Sequence, residues 1–271
     1  MKYLFTDTPL AARRLEVLAR VFHDPTDSFL QSAVDRPISL AIDLGCGPGL
    51  STYQLHGTLR PDLTLGLDNS DAFITLARAR ASESATLPGN AEHPLGDSSV
   101  RFAAHDVTQI PFPSPPADLI YCRFLLAHLQ NCAELAARWS TQLRPGGLLL
   151  FDEVEWIETD QPIFRRYLDI VASMLRSQGS ELYIGPALDR MEVPGLTKTF
   201  SRVQRHRVSD RDAAAMFSMN IPNWKDQPTI LKNHPEREIG ELESKLSAIA
   251  KSASGASAIE WGLRQISFRR K

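Results

Sequence analysis

The sequence predicts an α/β fold with a doubly wound, mostly parallel sheet, and three observations carry that prediction. Leu40, Ala41, Ile42 and Leu44 form a short apolar run, interrupted only by Asp43, that reads as a buried strand. Glycines at 45, 47 and 49 punctuate a turn directly behind it, and helical spacing resumes over 51–59. Short apolar runs then alternate with amphipathic helical patterns through a chain of 271 residues, the length of one large domain with additions.

Taken in order, 10–22 carries Leu10, Leu15, Leu18, Val21 and Phe22 at helical spacing, with Arg13 and Arg14 on the opposite side, and 27–33 continues as a second helix. The strand at 40–44 and the helix at 51–59 follow. Pro61-Asp62 turns the chain into a second strand, 63–67, that ends in Asp68. Residues 71–81 show Phe73, Ile74, Ala77 and Ala81 on one helical face, and 82–99 reads as a surface loop. A third strand at 100–104 is closed by His105-Asp106-Val107. Prolines at 111, 113, 115 and 116 exclude regular structure until a fourth strand at 117–122. A helix over 131–143 leads to Pro145-Gly-Gly147, whose turn opens a fifth strand.

Beyond Asp152 the alternation changes, and Glu153, Glu155 and Trp156 are expected to leave that strand. Phe164, Leu168, Val171 and Leu175 put a helix over 161–178, followed by a loop and short helix at 182–190. The remainder reads as a strand at 197–208, a helix at 213–220, a polar loop holding Asn223 and Trp224, a helix at 235–251, a bend at 252–257 and a final strand at 259–268. Four segments result. Residues 1–35 form a helical N-terminal cap, 36–156 a ligand-binding core, 157–197 a helical insertion shaping a substrate pocket, and 198–271 the edge strands and helices.

Composition excludes several function classes. A formal charge of −2 provides no broad footprint for nucleic acid, and no apolar stretch approaches the roughly 20 residues of a membrane span. The first residues lack a signal-peptide pattern, and Cys46, Cys122 and Cys132 lie in apolar segments without metal-ligand spacing, as expected of thiols in a reducing cytoplasm. No metal site is expected.

Two ligands compete for the glycine turn. A dinucleotide fingerprint needs Gly-x-Gly-x-x-Gly, but counting from Gly45 or Gly47 puts Leu50 or Thr52 in the third place. Asp43 would also repel a pyrophosphate, whereas a carboxylate there suits a ligand bearing an ammonium group. The run Asp43-Leu-Gly-Cys-Gly-Pro-Gly49 resembles the first motif of the class I S-adenosylmethionine-dependent methyltransferases. The resemblance covers roughly residues 36–156. It implies a seven-stranded sheet with an antiparallel last strand, S-adenosyl-L-methionine as cofactor, and a small-molecule acceptor.

The resemblance also assigns roles. Asp43, Gly45, Cys46, Gly47 and Gly49 are expected to line the cofactor loop. Asp68, at a second-strand end about twenty residues past the glycines, is expected to accept the ribose hydroxyls, with Asn69 beside it. Asp106 and the Val107 amide are expected at the adenine, and Arg123 at the cofactor end of the fourth strand. Tyr121-Cys-Arg-Phe124 stands where some relatives carry Asn-Pro-Pro-Tyr, which argues against a nucleobase or glutamine acceptor, and Arg123 stands where a metal-ligating carboxylate would be. His128 is the candidate general base, because an imidazole can take a proton near neutral pH. Tyr3, Phe124, Trp156, Tyr183, Phe217, Asn220 and Trp224 are the candidate substrate residues, aromatic faces being suited to hold a sulfonium or its acceptor. Two other functions stay open from sequence: a cofactor-binding enzyme that performs a rearrangement, elimination or decarboxylation without methylation, and a protein or RNA methyltransferase.

Overall fold

The structure is a computed structural model that describes residues 7–86, 99–252 and 257–271. Tyr3, most of the expected 82–99 loop and most of the 252–257 bend lie outside the described residues. Two helices, α1 (Pro9–Val21) and α2 (His23–Ala33), precede the sheet. Thr8 caps α1 by accepting from the Ala11 amide at 3.2 Å, and Pro9 occupies the first helical position, where a missing N–H costs nothing.

The core then alternates β1 (Leu40–Leu44), α3 (Leu50–Leu59), β2 (Leu63–Asp68), α4 (Asp71–Thr86), β3 (Val100–Ala104), β4 (Ala117–Arg123), α5 (Cys132–Ser140) and β5 (Leu143–Thr159). The C-terminal part contributes α6 (Pro162–Ser177), α7 (Gly185–Arg190), β6 (Leu196–Ser209), α8 (Asp210–Asn220), α9 (Pro228–Leu231), α10 (Glu236–Lys251) and β7 (Ser257–Arg270). The seven strands form one sheet in the order β3-β2-β1-β4-β5-β7-β6. The first five are parallel, and β7 runs antiparallel between β5 and β6.

That order reverses direction between β1 and β4. In an open parallel sheet the helices after such a pair depart to opposite faces, which opens a crevice at the C-terminal ends of the two strands. Register brings the relevant residues to that edge. Asp43 pairs with Gly66, Asp68 with Ala104, and Arg123 with Asp152.

Two expectations are corrected. The chain does not leave the sheet after Asp152, because β5 continues to Thr159 and pairs with β7 through an irregularity between Val154 and Trp156. The charged residues that suggested an exit are accommodated there: Glu153 is buried, and Glu155 receives Arg264 at 2.7 and 2.8 Å. Trp224 is not in a polar loop. The short turn Ile221–Asn223 directs it inward, and it is fully buried among α6, α8 and α10. That cluster joins Phe164 and Leu168 of α6, Ala213 and Phe217 of α8, Leu242 and Leu246 of α10, and Trp261 and Leu263 of β7. The insertion and the C-terminal segment therefore share one core.

Gly66 is the point where β2 admits its neighbours. A Cβ there would stand 2.7 Å from the Phe102 ring and 2.8 Å from Thr52 Oγ1. Gly66→Ala is expected to lower stability by about 1–3 kcal/mol through overpacking, read as a shift of the urea midpoint at unchanged slope.

Candidate functional site

The glycine turn is built from the backbone outward. Gly45, Gly47 and Gly49 all take positive φ, at 68°, 52° and 85°, where a side chain would be strained. The amides of Gly45 and Cys46 donate to the Leu67 carbonyl at 2.8 and 3.0 Å, which stitches the turn to the end of β2. Asp68 finishes the stitch. Its Oδ2 accepts from the Gly47 amide at 2.8 Å and its Oδ1 from the Ser70 amide at 2.9 Å.

Asp43 works behind the turn rather than in front of it. It is 1% exposed, and its Oδ2 accepts both the Ser51 and the Thr52 hydroxyl at 2.7 Å, fixing the first turn of α3 to β1. Burial pushes its carboxyl up to about 6, opposed by those two hydroxyls. Asp43 does not line the cavity, and its Oδ2 is engaged in holding α3.

In front of the turn lies a cavity of about 430 Å³, at the β1–β4 crossover. Gly45, Cys46 and Gly47 floor it, with Asp68, Asn69, Asp106 and Val107 on one side and Arg123, Phe124 and His128 on the other. Helix α1 roofs it with Arg14, Leu15, Leu18 and Ala19. Its size falls in the range of small-molecule sites, roughly 300–1,000 Å³. Burial raises the Asp68 carboxyl, whereas Asp106 lies below the usual range; burial alone would raise it, but the Thr108 hydroxyl and amide hold it down.

The turn after β4 is clasped from β5. Phe124, at φ 53°, donates its amide to the Asp152 carbonyl at 3.1 Å, and Glu153 Oε1 accepts the Leu125 and Leu126 amides at 2.7 and 2.8 Å. Glu153 Oε2 has no hydrogen-bond partner among the described residues, and burial pushes this carboxyl up to about 8, opposed by the two amides. Arg123 reaches back toward the cap, donating to Thr26 Oγ1 at 3.0 Å and Gln54 Oε1 at 3.2 Å. Thr26 in turn donates to the buried Asp152 at 3.0 Å. His128, on the one-turn helix Leu126–His128, has its Nδ1 shut off from solvent. Burial, with the Arg14 guanidinium adding to it, drives the imidazole down to about 4. It is neutral at pH 7 and a weak base.

The candidate substrate residues divide. Phe124 lines the cavity, its ring edge-on to Phe22 with centroids 5.1 Å apart. The others that are described do not line it, which corrects their assignment. Trp156 lies where β5 bulges, under the Arg205 guanidinium at 5.1 Å. Phe217 stacks on Tyr167 at 4.1 Å, Asn220 donates to the Tyr167 hydroxyl at 2.8 Å, and Trp224 is sealed in the same core. Tyr183 packs against that core and is also off the cavity wall. Sequence reading missed Gln178 and Ser180, which close the cavity from the turn after α6. Their signal was Gly179, which ends α6 at φ 75°.

The donor set fits an aminoacyl nucleoside. Two carboxylates at adjacent strand ends can accept sugar and base protons, and a side chain at Gly47 would stand 3.3 Å from Leu15, filling the space between turn and roof. Among the described residues, no group of three or more His, Cys, Asp or Glu is placed to hold a metal ion, and no helix is long and apolar enough to cross a membrane.

Glu153 yields a pH-dependent expectation. Glu153→Gln keeps an acceptor for the two amides, whereas Glu153→Leu strands both and is expected to cost roughly 2–5 kcal/mol. The folded chain holds the Glu153 proton up to about pH 8, while the unfolded chain releases it near its ordinary value of 4.5. Wild-type stability contributed by this site therefore falls as pH rises from about 4.5 to about 8. Denaturation at several pH values should show the Gln variant gaining on the wild type across that window and levelling above it.

Comparison with known proteins agrees with this geometry. Residues 42–151 match the family model described as Methyltransferase domain. A 108-residue stretch is 37% identical to the trans-aconitate 2-methyltransferase of Methylobacterium nodulans, covering 40% of this chain and 35% of that protein. Coclaurine N-methyltransferase, solved with N-methylheliamine and S-adenosylhomocysteine, has a similar fold at TM-score 0.54 and 13% identity, over 93% of this chain and 72% of that one. The phosphoethanolamine N-methyltransferase 2 of Haemonchus contortus, solved with phosphomonomethylethanolamine and S-adenosylhomocysteine, gives 0.54 and 15%, over 98% and 60%. The chain thus spans about a third of the curated relative, and the match falls on the glycine turn and strands β1 to β5. That match, the strand order and the strand-end site coincide: residues 42–151 are similar to the methyltransferase-domain family, and the cavity opens at the ends of the strands they contribute.

Proposed function

We propose that this chain transfers a methyl group from S-adenosyl-L-methionine to a small-molecule acceptor. One observation carries the reading: Asp68 and Asp106, at the ends of neighbouring strands, and the glycine turn face one cavity at the crossover of the sheet. In this reading Asp68 accepts the ribose hydroxyls, with Asn69 beside it, and Asp106 with the Val107 amide meets the adenine. The Gly45–Gly47 backbone, with Cys46, lies along the amino-acid tail, and Arg123 takes the tail's carboxylate. Asp43 contributes by keeping α3 and the turn in place. Support for a small acceptor comes from the roof that α1 and the Gln178–Ser180 turn set over the cavity, and from relatives named for small molecules. Cys46, Cys122 and Cys132 are free thiols and suit a reducing compartment, so the proposal places the enzyme in the cytoplasm.

The bound sulfonium supplies an activated methyl group. What the chain adds is alignment. Proximity and orientation are worth roughly 7–11 kcal/mol, against about 3–5 kcal/mol for a general base. His128, held near 4, is a poor proton acceptor, and this too favours alignment as the main source of rate.

Calorimetry with S-adenosylhomocysteine tests the assignment. Asp68→Asn is expected to weaken binding roughly ten- to hundredfold, the value of hydrogen bonds to a charged acceptor. Unchanged affinity removes Asp68 from the site, and absence of binding to the wild-type chain removes the function.

A further inference from the structure

Arg123 stands on the cavity wall, and its guanidinium is held from the cap side by two neutral oxygens. Nη1 donates to Thr26 Oγ1 of α2 at 3.0 Å and to Gln54 Oε1 of α3 at 3.2 Å. Each acceptor is oriented by bonds of its own. The one proton of the Thr26 hydroxyl goes to Asp152 Oδ2 at 3.0 Å, which leaves only lone pairs for Arg123. Asp152 is steadied in turn by Gln265, whose Nε2 donates to its Oδ1 at 3.3 Å and to the Pro25 carbonyl at 3.0 Å. The Gln54 amide nitrogen donates to the His23 carbonyl at 2.7 Å and to Asp27 Oδ1 at 2.8 Å, so its oxygen turns toward Arg123. His23, Pro25, Thr26 and Asp27 all lie on α2, and one cap helix therefore governs both acceptors.

The neutrality of these acceptors has a consequence. A carboxylate in their place would consume the guanidinium in an ion pair, whereas a hydroxyl and an amide orient it and leave its charge available. Thr26 and Gln54 both take Nη1, and a guanidinium carries further donors on Nη2 and Nε. Phe124, the next residue on the wall, sets its ring 5.8 Å from the guanidinium carbon. We propose that Thr26 is a positioning residue for the cofactor's amino-acid tail: its hydroxyl, together with the Gln54 amide, presets Arg123 to meet the tail's carboxylate. This rests on the methyl-transfer reading above, which puts Arg123 at that carboxylate. Pairing through two parallel N–H donors tolerates little rotation, and an arginine that must be ordered on binding costs affinity. Thr26 is 1% exposed and does not line the cavity, so its effect on a ligand passes through Arg123. The nucleoside is read elsewhere, by Asp68 and Asp106 at the ends of β2 and β3, and the two halves of the ligand can be tested apart.

Calorimetry of the full chain with three ligands makes that separation. S-adenosylhomocysteine carries the whole tail, S-adenosyl-3-thiopropylamine keeps the ammonium and lacks the carboxylate, and 5′-methylthioadenosine lacks both. The wild type is expected to prefer S-adenosylhomocysteine to the thiopropylamine by about tenfold or more, as hydrogen bonds between charged groups do. Thr26→Val is expected to cut that preference roughly three- to tenfold, the worth of one neutral hydrogen bond, and Thr26→Ser to restore it. Both variants should bind 5′-methylthioadenosine within about twofold of wild type, and Thr26→Val in an Arg123→Met background should change S-adenosylhomocysteine binding by less than about twofold. Gln54→Met is expected to lower the preference in the same direction and carries the test if Thr26→Val does not fold. A preference unchanged in Thr26→Val, or in Gln54→Met where the first variant does not fold, overturns the proposal. So do a loss shared equally by 5′-methylthioadenosine, a loss that Thr26→Ser does not restore, and losses that add in the Arg123→Met background. A wild type that binds 5′-methylthioadenosine but shows no preference for the carboxylate overturns it by taking Arg123 off the tail. Failure of the wild type to bind any of the three is the distinct result that overturns the methyl-transfer reading beneath it.

Discussion

The site depends on one buried carboxylate. Asp43 sits in the middle of the sheet edge and accepts two hydroxyls from the first turn of α3 through a single oxygen. Glycine turns are entropically expensive, since the residues that allow positive φ are also the freest in the unfolded chain. Without an anchor, the left-handed sequence of Gly45, Gly47 and Gly49 would be one conformer among many. The Asp43 clasp on one side and the Leu67 carbonyl with Asp68 on the other leave the turn a single shape. The cost shows in Asp43 itself, whose carboxyl burial pushes up to about 6.

A second clasp does for the acceptor side what Asp43 does for the cofactor side. Phe124 occupies a left-handed conformation that a residue with a Cβ rarely adopts, and it persists because β5 grips the turn at three consecutive amides. Both grips come from carboxylates or carbonyls on the strands, at the ends of β1 and β2 for the glycine turn and in the middle of β5 for the turn after β4. The crossover thus provides the opening, and the buried acids on either side of it decide the shape of its lips. The Arg123–Thr26–Asp152 chain extends this to the cap, tying α2 to β4 and β5 through one buried hydroxyl.

Much of the core was legible because its signals are local. The apolar run at β1, the glycine spacing and the acids closing β2 and β3 are each read within a few residues, and all were found in the expected elements. Asp43 illustrates the limit of that reading. Its place in the motif was visible, but that one of its oxygens holds Ser51 and Thr52 depends on which way the strand presents it. The end of β5 was missed for a different reason. Glu153 and Glu155 are charged, and only the pairing with β7, more than a hundred residues away, and the Leu125, Leu126 and Arg264 partners make them acceptable in a strand. The aromatic candidate Phe217 went astray because an aromatic residue at helical spacing serves a core or a cleft equally well, and Trp224 because its polar neighbours hid the turn at Ile221–Asn223 that carries it inward. Gln178 and Ser180 carried no chemical signature beyond the glycine between them.

The most direct measurement is a crystal structure of the chain with S-adenosylhomocysteine. The account places the ribose hydroxyls within hydrogen-bond distance of Asp68, the adenine amino group at Asp106 and the sulfur facing Phe124. A nucleoside bound away from these two acids, or one that reaches its place only after the glycine turn has abandoned its hold on Leu67, contradicts it.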